Sequence, residues 1–125
     1  MTKKDNKIKG NYGEDAAVEY LIRKGLSILC RNFLCRHGEI DIIAKDGETI
    51  VFAEVKYRHS TAYGLPGQAV DRKKQHHIIK SALYYLQQHR LFDQNVRFDV
   101  IEVLKIDGRI RIRQIEGAFD MGGYC

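Results

Sequence analysis

The chain has 125 residues, a length typical of one domain. Hydrophobic residues make up 44% of it, enough for one core, and no stretch approaches the roughly 20 apolar residues of a membrane span. Lysine and arginine outnumber acidic residues by 21 to 16, and the net charge of +5 favours a polyanionic partner. No apolar segment follows the charged first residues, so we expect no signal peptide, no membrane association and a cytoplasmic protein.

Hydrophobic periodicity and turn residues predict seven elements in the order α-β-β-β-α-β-β. They are a helix over residues 9–24, strands over 27–34, 39–45 and 48–57, a helix over 68–89, and strands over 96–106 and 109–115. Residues 58–67 are expected to form a loop, and the Gly-rich residues 117–125 a loosely ordered tail. This order predicts a single α/β domain spanning residues 1–125, with a central mixed sheet flanked by helices and an ordered core at about 9–116.

The three cysteines, Cys30, Cys35 and Cys125, contain no Cys-x-x-Cys pair. The number is odd, and residues 30 and 35 would point to opposite faces if they share a strand. Neither a disulfide framework nor a zinc site is therefore expected.

A hairpin register follows from Asp46-Gly47, which is typical of the centre of a type I′ turn. This register places Asp41 opposite Phe52 on the neighbouring strand. Because side chains alternate between the faces of a strand, one face is then charged, with Glu39, Asp41, Glu54 and Lys56. The other face is apolar, with Ile40, Ile42, Ala44, Val51, Ala53, Val55 and Tyr57.

Charges inside strands that otherwise look buried are the most informative feature of the chain, because acids and lysines are rarely buried unless they are paired. Asp41 and Glu54 are expected to be diagonal neighbours with Cβ atoms roughly 5–8 Å apart. One divalent cation could bridge them, and oxygen-only ligation suits Mg²⁺ or Mn²⁺. Lys56 would then hold a phosphate, stabilise charge in the transition state or orient water. The alternative is a salt-bridged cluster on a solvated face.

Glu14 lies near the start of the first helix, in line with its apolar stripe of Ala17, Val18, Leu21 and Ile22. An acid in a first turn complements the helix dipole. Its alignment with the apolar face favours a further role at the predicted site.

Basic residues cluster at the start of the second helix, where Arg72, Lys73 and Lys74 follow one another. A solvated helix face explains such a run. The alternative is an edge that contacts phosphates, together with Arg58 of the preceding loop.

The chain resembles the YraN-like family of small bacterial proteins. The strings that carry the resemblance are Gly10-x-x-Gly13-Glu14-x-x-Ala17, Gly38-Glu39-Ile40-Asp41-Ile42-Ile43-Ala44, Val51-Phe52-Ala53-Glu54-Val55-Lys56-Tyr57-Arg58, Gly64-x-Pro66-x-x-Ala69-Val70, Lys74, Ala82-x-x-Tyr85-Leu86 and Arg97-Phe98-Asp99-Val100. They span the chain from about Gly10 to Ile115.

That family is similar to the PD-(D/E)xK, restriction-endonuclease-like nucleases, and among these to archaeal Holliday-junction resolvases. The resemblance implies Mg²⁺-dependent cleavage of phosphodiester bonds. It implies that Asp41 and Glu54 bind the metal, that Lys56 is the motif lysine, and that Glu14 is the helix carboxylate added in resolvase-like members. Ile40 stands where the motif has a proline.

Three functions follow from these observations. The first is a Mg²⁺-dependent endonuclease acting on DNA, including branched or repair intermediates, for which a resolvase-like role would favour a homodimer. The second is a non-catalytic nucleic-acid-binding module with a nuclease-like fold. The third is a scaffold for protein partners, for which the aromatic residues are Tyr12, Tyr57, Tyr63 and Tyr124.

Overall fold

The structure, a computed structural model, describes residues 3–58 and 70–122, with side chains from residue 13 onward. Its elements are α1 (Lys3–Arg23), β1 (Ser27–Cys35), β2 (Gly38–Asp46), β3 (Thr49–Arg58), α2 (Arg72–His89), β4 (Asn95–Ile106) and β5 (Arg109–Phe119). The order α-β-β-β-α-β-β and the single α/β domain are as predicted.

The five strands form one sheet in the order β1-β2-β3-β4-β5. β3 and β4 are parallel, and every other neighbouring pair is antiparallel. A parallel pair needs a long crossover, and α2 lies in the one between β3 and β4. The predicted mixed sheet is therefore confirmed.

The two helices cover opposite faces of the sheet. On the α1 face, Ala17 and Leu21 pack over Val51, Ala53 and other small or branched strand residues. On the α2 face, Ile78, Ile79, Ala82, Tyr85 and Leu86 pack over strand residues that include Phe52 and Phe98. Both faces of the central strands are thus buried near their middle, which explains their continuous apolar runs.

The first residues of both helices differ from the prediction by several positions, whereas the bounds of β1 to β4 differ by at most one residue. α1 begins at Lys3 rather than at residue 9. α2 begins at Arg72 because the Asp71 side chain accepts a hydrogen bond from the Lys74 backbone N–H at 2.8 Å and caps the helix. Predicted helix positions 68 and 69, and most of the predicted loop, lie outside the described residues.

The prediction of a loose tail from residue 117 is wrong for its first residues, since β5 continues to Phe119. The Gly117 N–H donates to Asp99 Oδ1 at 3.0 Å, and the rings of Phe98 and Phe119 stack with centroids 5.0 Å apart. Gly117 has a φ of +62°, a conformation favoured by glycine, where β5 is irregular against β4.

The apolar stripe of α1 is narrower than predicted. Ala17 and Leu21 are fully buried, whereas Ile22 is 55% exposed. Gly13 lets α1 approach the end of β3, because a Cβ atom there would lie 3.0 Å from Tyr57 Cδ2. This close approach sets the position of Glu14.

Candidate metal and phosphate site

The hairpin register differs from the predicted one by two residues. Asp46 pairs with Thr49, so Gly47 and Glu48 are the central turn residues, and only Gly47 of these two has a positive φ, +61°. A glycine at the first central position is typical of a type II′ turn, so the predicted type I′ turn centred on Asp46-Gly47 is wrong.

The observed pairing runs as far as Ile42 with Ala53. One further step sets Asp41 opposite Glu54 rather than opposite Phe52. Because side chains repeat every two residues, a shift of two by itself leaves Asp41, Glu54 and Lys56 on their predicted face. The shift brings the two acids closer together than the predicted diagonal arrangement.

The apolar face contains one exception, since Ile40 packs in the cluster beneath α2 and not beneath α1. The alternation of side chains between the two faces of β2 is interrupted between Ile40 and Ile42. The residue of β1 beside this point is Asn32, which has a φ of +54° and lies between the backbone partners of Ile40 and Ile42. Glu39 is exposed near the strand end and pairs in the backbone with Leu34 of β1, so it does not join the two acids.

Asp41 and Glu54, here called the acid pair, lie where β2 and β3 cease to pair. Asp41 Oδ2 accepts a hydrogen bond of 2.8 Å from the Val55 backbone N–H. Glu54 is only 7% exposed, and its buried Oε2 has no hydrogen-bond partner among the described residues. An unsatisfied buried carboxylate oxygen is costly and is an expected feature of a site that binds a cation.

Asp41 is the member of the acid pair that holds a proton at neutral pH. Burial, followed by hydrogen bonding and charge repulsion from Glu54, raises the pKa of Asp41 from 3.8 to about 8. The Val55 N–H and the Lys74 ammonium oppose this rise. At neutral pH Asp41 is therefore mostly protonated, and it can exchange its proton for a metal ion.

Lys74 reaches the acid pair from the first turn of α2. Its Nζ lies 3.6 Å from Glu54 Oε2, an ion pair that is too long for a hydrogen bond. The Asp71 cap fixes the turn that carries this lysine. Lys74 was predicted to contact phosphate, whereas the structure places its ammonium beside a carboxylate.

Lys56 follows Glu54 by two residues in β3, on the same face of the sheet. It is half-buried and makes no ion pair with any carboxylate among residues 13–58 and 70–122. Its ammonium is thus not neutralised by a described acid, in contrast to that of Lys74. Asp41, Glu54 and Lys56 therefore lie on one sheet face, whereas their joint role at a site stays a prediction.

Glu14 is a buried carboxylate of α1 that is held by two residues of β1. Its Oε1 accepts hydrogen bonds of 3.0 Å each from Arg31 Nε and Asn32 Nδ2. Burial raises the pKa of Glu14, Arg31 lowers it, and the nearby charge of Asp41 raises it further. Glu14 therefore interacts electrostatically with the acid pair, while its assignment as a metal ligand stays a prediction.

Within the described residues, no group of three His, Cys, Asp or Glu side chains is arranged to hold a metal ion. Two adjacent carboxylates nevertheless fit Mg²⁺, which commonly takes one or two protein carboxylates together with waters and substrate oxygens. The buried Glu54 Oε2 is the observation that fits best, since this hard oxygen ligand has no hydrogen-bond partner in the part of the chain that the structure describes.

Sequence reasoning missed Glu102, which is 1% exposed in β4. Its two oxygens accept from Arg58 Nε at 3.2 Å and from Arg113 Nε at 2.8 Å. Glu102 is a charged residue within a buried apolar strand, which is the pattern that identified Glu54. The same pattern would also have identified Glu102. Arg58, predicted to contact nucleic acid, is thus partly engaged by a buried acid.

A second buried acid that sequence reasoning missed, Asp99, is fully inaccessible. It accepts hydrogen bonds from Arg97, from the Gly117 N–H and from Gln114 Nε2, the last at 2.8 Å. These donors satisfy both oxygens, so Asp99 fastens β5 to β4 and is structural.

The remaining predicted nucleic-acid contacts, Arg72 and Lys73, are exposed in the first turn of α2. Neither forms an ion pair with another described residue, so both stay available to a phosphate. Within the described part of the chain, no helix is long and apolar enough to cross a membrane.

Comparison with known proteins places the chain in a bacterial family. The family described as "Uncharacterised protein family UPF0102" matches residues 13–103, a segment that contains Glu14, Asp41, Glu54 and Lys56. A UPF0102 protein of Trichlorobacter lovleyi is 49% identical over 120 residues, which cover 94% of each chain. One of Geotalea daltonii is 50% identical over 120 residues, or 95% of this chain and 94% of the relative.

A third relative, the UPF0102 protein of Syntrophus aciditrophicus, is 53% identical over 113 residues, or 90% of this chain and 88% of its own. The family-level resemblance drawn from the sequence motifs is therefore confirmed. This protein belongs to the UPF0102 family.

Proposed function

We propose that this protein is a Mg²⁺-dependent endonuclease that hydrolyses phosphodiester bonds in DNA. The observation that carries the proposal is the acid pair. The buried Glu54 Oε2 has no hydrogen-bond partner within residues 13–58 and 70–122, and Asp41 holds a proton that a metal ion can replace. Lys56, on the same sheet face, supplies the positive charge that a scissile phosphate needs.

In this proposal, Asp41 and Glu54 hold the metal, and Glu14 adds negative charge at the side of α1. A bound Mg²⁺ supplies Lewis-acid polarisation of the phosphate and activation of water. The Val55 N–H keeps Asp41 oriented through its 2.8 Å hydrogen bond, which limits reorganisation when the proton leaves.

Lys56 stabilises the charge that develops on the phosphate oxygens in the transition state. Its position two residues beyond Glu54 places the two side chains about 7 Å apart along the strand, far enough for a phosphate to lie between them. Lys74 neutralises the acid pair when no metal is bound, and Arg72 and Lys73 contact the nucleic-acid backbone nearby.

A cleavage panel of single-stranded, duplex, flap and four-way DNA, with Mg²⁺ or Mn²⁺, tests the proposal. We expect metal-dependent cleavage by the wild type, loss of cleavage in Glu54→Gln, and retention in Glu39→Gln, which alters an exposed acid of the neighbouring strand. Equal residual cleavage in wild type and Glu54→Gln would indicate a contaminating nuclease and refute the assignment.

A non-catalytic nucleic-acid-binding module is the second candidate. It is favoured by the absence of a three-ligand metal group among the described residues and by the Lys74 ammonium beside Glu54. This candidate predicts salt-dependent DNA binding without metal-dependent cleavage. The third candidate, a protein scaffold, receives no support from Tyr57, which packs against the α1 face, and its other aromatic residues lie outside the described side chains.

A further inference from the structure

β5 is an edge strand whose two faces differ sharply in chemistry. Ile110 and Ile112 pack against the cluster beneath α1. Arg109, Arg111 and Arg113 alternate with them, are exposed and project from the opposite face. These three residues are called the arginine row.

The arginine row lies on the same sheet face as the acid pair. In the backbone register of the sheet, Arg113 lies opposite Glu102 of β4, and Glu102 lies beside Lys56 of β3. Two steps of about 4.8 Å across the sheet therefore separate Arg113 from Lys56. Arg111 and Arg109 continue the row away from the acid pair at intervals of about 7 Å.

The positive charge of this row is largely uncompensated. Arg109 and Arg111 form no ion pair with any carboxylate in the described parts of the chain. Glu102 is the buried acid of this region, and it binds Arg58 and Arg113 through their Nε atoms. Asp107, in the turn before β5, is an exposed acid. With Lys56 the region holds five cationic side chains against one buried carboxylate.

Glu102 also orients the two arginines that it binds. A guanidinium held at Nε keeps its planar fork in a fixed direction, which suits recognition of phosphate oxygens. Arg113 remains 43% exposed while so held. An arginine oriented in advance loses less entropy when it binds an anion.

We propose that the arginine row binds the phosphate backbone of a nucleic acid and guides it across β4 toward the acid pair. The row is a binding surface for the strand beyond the scissile phosphate. This inference rests on the proposed nucleic-acid substrate but not on its cleavage. A charged edge strand also resists pairing with other chains, and that role alone is the alternative.

The test compares two double variants that remove the same charge. Arg109→Gln with Arg111→Gln neutralises the part of the row that has no ion pair. Arg23→Gln with Lys105→Gln is the control, because both residues are exposed and lie on the opposite side of the sheet from the row. Arg23 lies on α1 and pairs with Glu19, and Lys105 lies beside Ile110 on the α1 face of β4. Binding of a fluorescein-labelled DNA duplex is measured by fluorescence anisotropy in EDTA, between about 50 and 200 mM salt.

We expect the row variant to bind roughly tenfold or more weakly at the lower salt, and its plot of log K against log salt to be shallower by about 2. The control should stay within about threefold of the wild type, since non-contacting charges act only through screened long-range attraction. Circular dichroism and melting temperature verify that both variants fold.

Equal loss in the two double variants would show a general charge effect and overturn the inference, as would unchanged binding in the row variant or no binding by the wild type. Cleavage is scored separately. If the wild type binds through the row but does not cut, the inference stands and the nuclease proposal fails. If it cuts and the row variant binds normally, the nuclease proposal stands and the inference fails.

Discussion

The raised pKa of Asp41 leads to a quantitative prediction for Asp41→Asn in metal-free protein. The asparagine oxygen can accept from the Val55 N–H as Asp41 does, and its amide can donate to Glu54 in place of the acidic proton. The variant therefore imitates the protonated pair at every pH. It should lack the pH dependence of stability that the wild type shows.

The sign follows from the raised pKa of Asp41, about 8 when folded against 3.8 as the ordinary value. The folded protein binds this proton more tightly than the unfolded chain, so the resulting stability is fully present below about pH 4 and is lost as the pH rises through about 8. Between pH 5 and pH 9 the wild type should lose about 4 kcal/mol of unfolding free energy relative to Asp41→Asn.

The assay is urea unfolding in EDTA at several pH values, followed by circular dichroism. Glu39→Gln, an exposed acid in the same strand, is the matched control and should follow the wild type. Wild-type and Asp41→Asn curves that stay parallel within about 1 kcal/mol from pH 5 to pH 9 would refute the reasoning.

Three further predictions concern the metal, the lysine and the buried acid of β4. In differential scanning fluorimetry, Mg²⁺ should raise the melting temperature of the wild type more at pH 8.5 than at pH 6, because Asp41 must release its proton to bind the metal. Glu54→Gln should lack this increase, and equal increases in both proteins would contradict a metal site at Glu54. Lys56→Met should lower the cleavage rate by about 10²-fold to 10³-fold while DNA affinity in EDTA changes only a few-fold, and a parallel loss of rate and affinity would instead indicate a binding role. Glu102→Gln should lower the free energy of unfolding in urea by about 3 kcal/mol, because two guanidinium groups lose their buried carboxylate partner. Glu48→Gln, at an exposed acid, is the control, and a loss below about 1 kcal/mol would mean that solvent replaces the carboxylate.

The two Asp-Gly turns show how far local sequence determines this fold. At Asp107-Gly108 both residues have positive φ, and Ile106 pairs with Arg109, as a type I′ turn requires. At Asp46-Gly47 the same dipeptide lies one residue earlier than expected within its turn. Two turn types accommodate a glycine here, and the choice depends on packing along the whole hairpin.

Despite that error, Asp41, Glu54 and Lys56 lie on their predicted face, because the register moved by two residues and strand side chains have a period of two. The sequence by itself thus determined the element order, the mixed sheet and the placement of Asp41, Glu54 and Lys56 on one face. These features depend on hydrophobic periodicity and on residues close together in the chain.

The tertiary structure decided the partners of each charge. Lys74 meets Glu54 because a capped helix places it there, and Arg58 and Arg113 meet at Glu102 because β3 and β5 both flank β4. Such contacts join residues far apart in sequence, and no local pattern encodes them. Burial of Glu54 Oε2 without a hydrogen-bond partner among the described residues is likewise a property of the packed molecule, since only the packing of surrounding atoms removes that oxygen from water.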